Sequence, residues 1–220
     1  MSEDSLNNQF AALHAQRVAT MKPEDLAVNI RQREELVTHA DRSRFPKAGD
    51  LAEDFTLLNV EGGEVKLHSL LSKGPAVLLF FRFATCPACN IALPYYQRQL
   101  YPRLAELGGS LVAISPQVPE RLREIKDKHG LSFIVASDKD NDLARRLGIA
   151  FTANAQTQAH MQAKGVHLGE VTGTGTWELP MPAVIVIGQD GVVRFADVSP
   201  DWLVRTEANT ILAVLEPAAA

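Results

Sequence analysis

Leu6, Phe10 and Leu13 recur at steps of four and three residues, which is one face of an α-helix. Pro23 followed by Glu24 and Asp25 marks a second helix start. Proline wastes no N–H at the first helical position, and acids suit the positive end of the helix dipole. Leu26, Ile30 and Val37 carry the apolar stripe to about Ala40, so residues 1–44 predict a helical arm. Residues 45–50 read as a connector. Beyond it the period changes to two. Stretches 55–59 and 65–67 flank Glu61-Gly62-Gly63, a hairpin signal. Residues 76–81 are apolar at every position and predict a strand buried on both faces.

A helix is predicted over 87–107, a strand over 111–115, and a helix over 120–128 that stops at His129-Gly130. A short strand over 133–136, a helix over 140–147 ended by Gly148, and a helix over 153–164 follow. Residues 165–176 hold four glycines and read as a flexible loop. Strands 184–187 and 192–196 enclose Gln189-Asp190-Gly191 as a hairpin, and a closing helix covers 207–215. Alternation of strands and helices predicts a largely parallel core, with the last hairpin adding antiparallel strands. The pattern divides the chain into the arm, 1–44, and one α/β domain, 45–220.

Composition alters this little. The chain has 220 residues, 46% of them hydrophobic and 22% charged, which excludes disorder and fibre. A net charge of -4 speaks against a nucleic-acid partner, which needs a concentrated basic face. The six-residue run 76–81 is the longest purely apolar stretch and cannot span a bilayer. The start, Met1-Ser2-Glu3-Asp4-Ser5, is acidic with no apolar h-region, so no secretory signal is visible and a cytoplasmic protein is expected.

The two cysteines change the picture more. Both lie in Cys86-Pro87-Ala88-Cys89, after a buried strand and at the start of a helix. A thiol there meets unpaired backbone N–H groups and the positive dipole end, which favour the thiolate. Cys89 follows one turn later on the same face. Cys86 is expected to be the exposed nucleophile and Cys89 its partner. Arg82, four residues earlier, is a second positive influence. Two rival readings are half a zinc site and a pair of inert buried thiols. For zinc no further Cys exists and the histidines lack ligand spacing, so the metal would bridge two subunits, and the strand–CxxC–helix context speaks against inert thiols.

Phe80-Phe81-Arg82 before Cys86-Pro87-Ala88-Cys89-Asn90, then residues 113–117, 177–183 and 187–195, resemble the AhpC/TSA group of peroxiredoxins in the thioredoxin-like superfamily. The chain looks closest to an atypical branch that carries a CPxC motif, and its arm is similar too. The resemblance implies a thioredoxin-like α/β fold: a mixed central sheet flanked by helices, with an N-terminal helical arm and a β-hairpin extension. It makes Cys86 the attacking cysteine and Cys89 its resolving partner. Pro182 matches the cis-proline of thioredoxin-like proteins, whose loop, here with Met181 and led by Trp177, lies against the dithiol and presents backbone to a bound thiol. The family's P-x-x-x-T-x-x-C pattern is broken, since Leu79 and Phe83 hold the proline and threonine places, and Pro182 holds the place of a late arginine. Arg82 and Thr85 are the candidates to replace that peroxide cradle.

The implied function is a thiol peroxidase acting on hydrogen peroxide or organic hydroperoxides, with no cofactor and no metal. Its disulfide would be recycled by thioredoxin or a glutaredoxin-type reductant. The alternatives are a general thiol–disulfide oxidoreductase and a non-catalytic redox or metal-bridging module. The apolar stripe of the arm suits packing on its own domain or against a second subunit, and a homodimer through the arm is the expectation.

Overall fold

The computed structural model describes residues 5–216. The acidic start Met1–Asp4 and the Ala218–Ala220 tail lie outside the described residues.

The arm consists of α1 (Leu6–Thr20) and α2 (Pro23–His39). Ser5 caps α1 through its side chain, and Pro23 opens α2 as its spacing predicts. The domain follows as β1 (Thr56–Asn59), β2 (Glu64–Lys66), α3 (Leu67–Leu71), β3 (Ala76–Phe80), α4 (Cys89–Gln99) and α5 (Tyr101–Glu106). Next come β4 (Ser110–Ser115), α6 (Pro119–His129), β5 (Ile134–Ser137), α7 (Asp142–Arg146), β6 (Ala150–Thr152) and α8 (Ala155–Ala163). The chain closes with α9 (Leu168–Thr172), β7 (Glu178–Pro180), β8 (Ala183–Ile187), β9 (Val193–Val198) and α10 (Ala208–Leu215).

A seven-stranded sheet runs in the order β2-β1-β5-β4-β3-β8-β9. β3, β4 and β5 pair in parallel, while β8 joins β3, and β9 joins β8, antiparallel. This is the predicted mixed thioredoxin-like sheet. Side chains alternate across it. Val77, Leu79, Val184 and Val186 face one core together with α1, α4, α6 and α10. Leu78, Phe80, Ile185 and Ile187 face a second core under α3 and α7.

Several elements depart from the sequence pattern. The predicted helix 87–107 is two helices, because Pro102 at the start of α5 cannot donate to the turn before it. The helix expected over 140–147 shrinks to α7. Asp140 and Asn141 take left-handed backbone (φ 60° and 55°), and the buried Asp138 carboxylate accepts the N–H groups of Leu143 and Ala144 instead. The strands β6 and β7 pair only with each other and are too short to show a period. The loop 165–176 contains α9 and is tightly packed: a Cβ on Gly169 would lie 2.3 Å from the Gly175 backbone.

The arm docks on its own domain. Leu6 and Phe10 are buried in the core that holds α4, and Leu13 packs against it. Glu207 fixes the start of α1: its carboxylate accepts from Ser5 Oγ (2.7 Å) and from the N–H groups of Leu6 and Asn7 (3.0 Å each). The inner part of the apolar stripe is thus covered without a second subunit.

Candidate active site

The cysteines lie where β3 hands over to α4, in a segment held from three sides. Ser115 Oγ donates to the Arg82 carbonyl (2.9 Å), and Gln117 Oε1 accepts the Ala84 N–H (2.7 Å). Gln117 in turn donates to the Val171 carbonyl (3.0 Å). Asn90 Nδ2 donates to the carbonyls of Ala84 (2.6 Å) and Cys86 (3.0 Å), while its Oδ1 accepts from Lys128 (2.9 Å) and contacts His129 Nε2 at 2.8 Å. The Asn90 N–H reaches the Cys86 carbonyl at 3.0 Å, so Cys86 opens the first helical turn although regular helix begins at Cys89.

Both cysteines are free thiols, and both are 0% exposed. The expected exposed nucleophile is therefore a buried one, and this corrects the sequence reading. The reason is a cover of arginine and aromatic side chains from distant parts of the chain. Arg82 Nη2 donates to Cys86 Sγ at 3.1 Å. Its guanidinium lies 4.2 Å from the Trp202 ring centroid and 5.5 Å from that of Phe83. Arg205 Nη2 contacts Cys89 Sγ at 3.7 Å, and that guanidinium lies 5.3 Å from the ring centroid of Phe10 on the arm.

The two thiols are driven apart. Burial alone pushes Cys86 up, but the neighbouring Cys89 thiol and the charges of Arg82 and Arg205 outweigh it. The net result holds Cys86 well below the ordinary thiol range. Burial pushes Cys89 up, and the neighbouring Cys86 sulfur with its negative charge pushes it further, well above that range. These opposed directions favour the thiolate at Cys86 and the thiol at Cys89, the assignment that nucleophilic chemistry requires.

Other predicted site residues are placed differently. Thr85 is exposed at the surface beside Pro87. Trp177 stacks on His167, with centroids 4.4 Å apart, and the aromatic cover over Arg82 is Trp202 instead. No cis peptide occurs among the described residues, so the expected cis bond at Pro182 is trans. The Met181–Pro182 backbone is also taken: the Met181 N–H donates to Ile149 (2.8 Å), and the Pro182 carbonyl accepts from Ser199 (2.8 Å). Met181 is buried in the second core. Pro182 lies beside Arg205, Thr206 and Tyr96. That extended run continues β7 into β8, which uses the groups a bound thiol would need.

Trp202, Arg205 and Arg17 carry no local signal, and Phe10 is legible only as part of the arm's apolar face. Their places depend on how the segment 199–207 and the arm dock. Among the described residues, no group of three His, Cys, Asp or Glu side chains stands close enough to hold a metal. The dithiol is flanked by guanidinium groups, which repel a cation.

Residues 48–196 match the profile of the AhpC/TSA family. The chain is 32% identical over 135 residues to thiol-disulfide oxidoreductase ResA of Halalkalibacterium halodurans, covering 60% of this chain and 74% of that one. It is 30% identical over 104 residues to peroxiredoxin Bcp of Escherichia coli, covering 47% of this chain and 65% of that one, just under two thirds of the relative's length. Among solved structures, peroxidoxin BcpB of Mycobacterium tuberculosis superposes with a TM-score of 0.59 at 25% identity, covering 77% and 96% of the two chains. Reduced Prx3 of Vibrio vulnificus, solved with hydrogen peroxide, superposes with a TM-score of 0.61 at 19% identity, covering 78% and 100%. The matched stretch holds the strand–CxxC–helix unit and the central sheet up to the last two residues of β9, and by it this chain belongs to the AhpC/TSA family.

Proposed function

We propose that this protein is a thiol peroxidase that reduces hydroperoxides through Cys86 and Cys89. The observation that carries the reading is the pair of buried CxxC sulfurs each met by a guanidinium, with Arg82 Nη2 donating to Cys86 Sγ at 3.1 Å and Arg205 Nη2 at 3.7 Å from Cys89 Sγ. Cys86 thiolate attacks the distal peroxide oxygen. An S–O bond forms, the O–O bond breaks, and the leaving alkoxide or hydroxide takes a proton from water. Cys86 is oxidised to the sulfenic acid, and the peroxide is reduced to alcohol or water. The Cys89 thiol then attacks that sulfur, water leaves, and an intrachain disulfide forms. Arg82, already bonded to Cys86 Sγ, stays beside the oxygen that gains negative charge.

An external dithiol such as thioredoxin or a glutaredoxin-type protein returns both sulfurs to thiols by exchange. The reducing cytoplasm is the compartment that suits such a cycle. A homodimer through the arm would have to use its outward residues Val18 and Val37, since Leu6 and Phe10 are consumed inside the chain. A dimer mass by light scattering is expected, and a monomer at micromolar concentration refutes that pairing.

The competing reading is a thiol–disulfide oxidoreductase, favoured by the CxxC pair and by the 32% identity to ResA. Stopped-flow mixing of reduced protein with hydroperoxide, followed through Trp202 beside the site, separates the two. The peroxidase reading expects wild type to react at least a hundredfold faster than a free thiolate of equal pKa (about 3 kcal/mol of transition-state stabilisation). Cys86→Ser should abolish the reaction, and Cys89→Ser should complete one turnover and stop. A wild-type rate no faster than a simple thiolate, with rapid exchange onto protein disulfides, would overturn it.

A further inference from the structure

Beside the dithiol lies a cavity of about 310 Å³ between the arm, α8 and the Trp202 segment. It falls at the small end of the roughly 300–1,000 Å³ typical of ligand sites. Phe83, Phe151, Met161 and Leu179 make much of its wall apolar. Its polar groups are unusual. Among the described residues, six buried side-chain nitrogen or oxygen atoms have no hydrogen-bond partner, and four of them belong to residues lining this one cavity. They are Arg17 Nη1, Arg82 Nε, Thr157 Oγ1 and Trp202 Nε1. Buried polar atoms are normally satisfied, because an unmade bond costs about 1–3 kcal/mol. Three of the four groups can only donate, so they wait for an acceptor.

The charges point the same way. Arg82 is engaged with Cys86, and Lys164 and His160 at the rim are held by Asp25. Arg17, on α1, has no carboxylate partner among the described residues, although it stands near enough to Cys86 and Arg82 to feel both. The arm that supplies Arg17 lies outside the family-matching residues 48–196.

We infer that the arm builds a substrate subsite of its own, in which Arg17 binds the carboxylate of an organic hydroperoxide whose alkyl chain fills the apolar wall. This rests on the peroxidase reading and names its substrate class. Arg17 and Trp202 hold the acid group and the chain, which directs the O–OH end toward Arg82 and Cys86. The redox step is the one given above: the hydroperoxy acid leaves as a hydroxy acid, and Cys86 leaves as the sulfenic acid.

The test uses the full-length protein with hydroperoxyoctanoic acid, its methyl ester, and the unreactive product analogue hydroxyoctanoic acid. A charged hydrogen bond to the carboxylate should make wild type prefer the acid over the ester by at least about tenfold in kcat/KM. Arg17→Gln should bring that ratio to near one, and Arg17→Lys should restore part of it. Hydroxyoctanoic acid should quench tryptophan fluorescence of the reduced wild type and bind at least about tenfold more weakly to Arg17→Gln. Peroxide reduction that is fast but shows no acid preference overturns the subsite and leaves the peroxidase reading standing. Arg17-dependent binding of the hydroxy acid without fast peroxide reduction sustains the subsite and overturns the peroxidase reading instead. A ratio or an affinity that Arg17→Gln leaves unchanged also refutes the subsite.

Discussion

Arg82 is the residue on which the site chemistry turns. It bonds Cys86 Sγ, lies across Trp202 and has its own carbonyl held by Ser115. Its charge helps hold Cys86 below the ordinary thiol range against the penalty of burial. Removing a positive neighbour destabilises the thiolate, so Arg82→Ala should raise the Cys86 pKa. In wild type, alkylation should keep its rate as the pH falls below about 8, since the thiolate persists beneath the ordinary value near 8.5. In Arg82→Ala that rate should fall off at higher pH. Identical pH profiles would show that Cys89 and Arg205 suffice without Arg82. The same substitution uncovers the sulfur, so the plateau rate at high pH should rise even as the profile shifts.

At the scale of elements, the contact between α1 and the entrance to α10 joins arm to domain. Glu207 takes bonds from Ser5, Leu6, Asn7 and Tyr95. Partial burial raises its pKa, but these donors outweigh that and bring it down to about 2. A carboxylate with a depressed folded pKa contributes stability that is complete above its unfolded value, about 4.3. That contribution falls as the pH drops from there through about 2. The arm should therefore loosen first on acidification, seen as faster proteolysis or amide exchange in α1 before the sheet opens. Glu207→Ala should cost about 1.5–3 kcal/mol at neutral pH, the range for hydrogen bonds to a charged group. It should also remove the acid sensitivity of the arm. Denaturant melts at pH 7 and pH 3 check both effects; an arm as acid-labile in the variant as in wild type would contradict this role.

For the whole molecule, the arm belongs to the core. Phe10 is 1% exposed and lies against Arg205, which in turn contacts Cys89. Phe10→Ala should cost about 3–5 kcal/mol of stability, the range for buried aromatic truncation. It should also speed alkylation of the cysteines, because the cavity it leaves adjoins their cover. A melt within 1 kcal/mol of wild type, a margin typical of surface substitutions, would show that the arm is an appendage.

The order of elements was legible because it rests on local patterns. The apolar run at 76–81 is of strand length and reads as a strand buried on both faces, His129-Gly130 ends α6 in left-handed backbone (φ 57° at Gly130), and the CxxC stands at a strand–helix junction. Those signals need no more than a few neighbouring residues, and they also identify the two sulfurs and Arg82. The chemistry around the sulfurs was not legible. Trp202 and Arg205 reach the dithiol from more than a hundred residues away, and Arg17 and Phe10 reach it from the other end of the chain. The burial of Cys86 follows from that convergence, and so does the split between a low and a high thiol pKa. Expectations carried by family pattern at Pro182, Trp177 and Thr85 missed for the same reason. Their backbone bonds and stacking partners, Ser199, Ile149 and His167, are set by how β7, β8 and α9 pack. The sequence determined where the reactive sulfur sits on the chain. Only tertiary packing, by choosing which distant cations and rings surround it, decided its protonation, its cover and the cavity beside it.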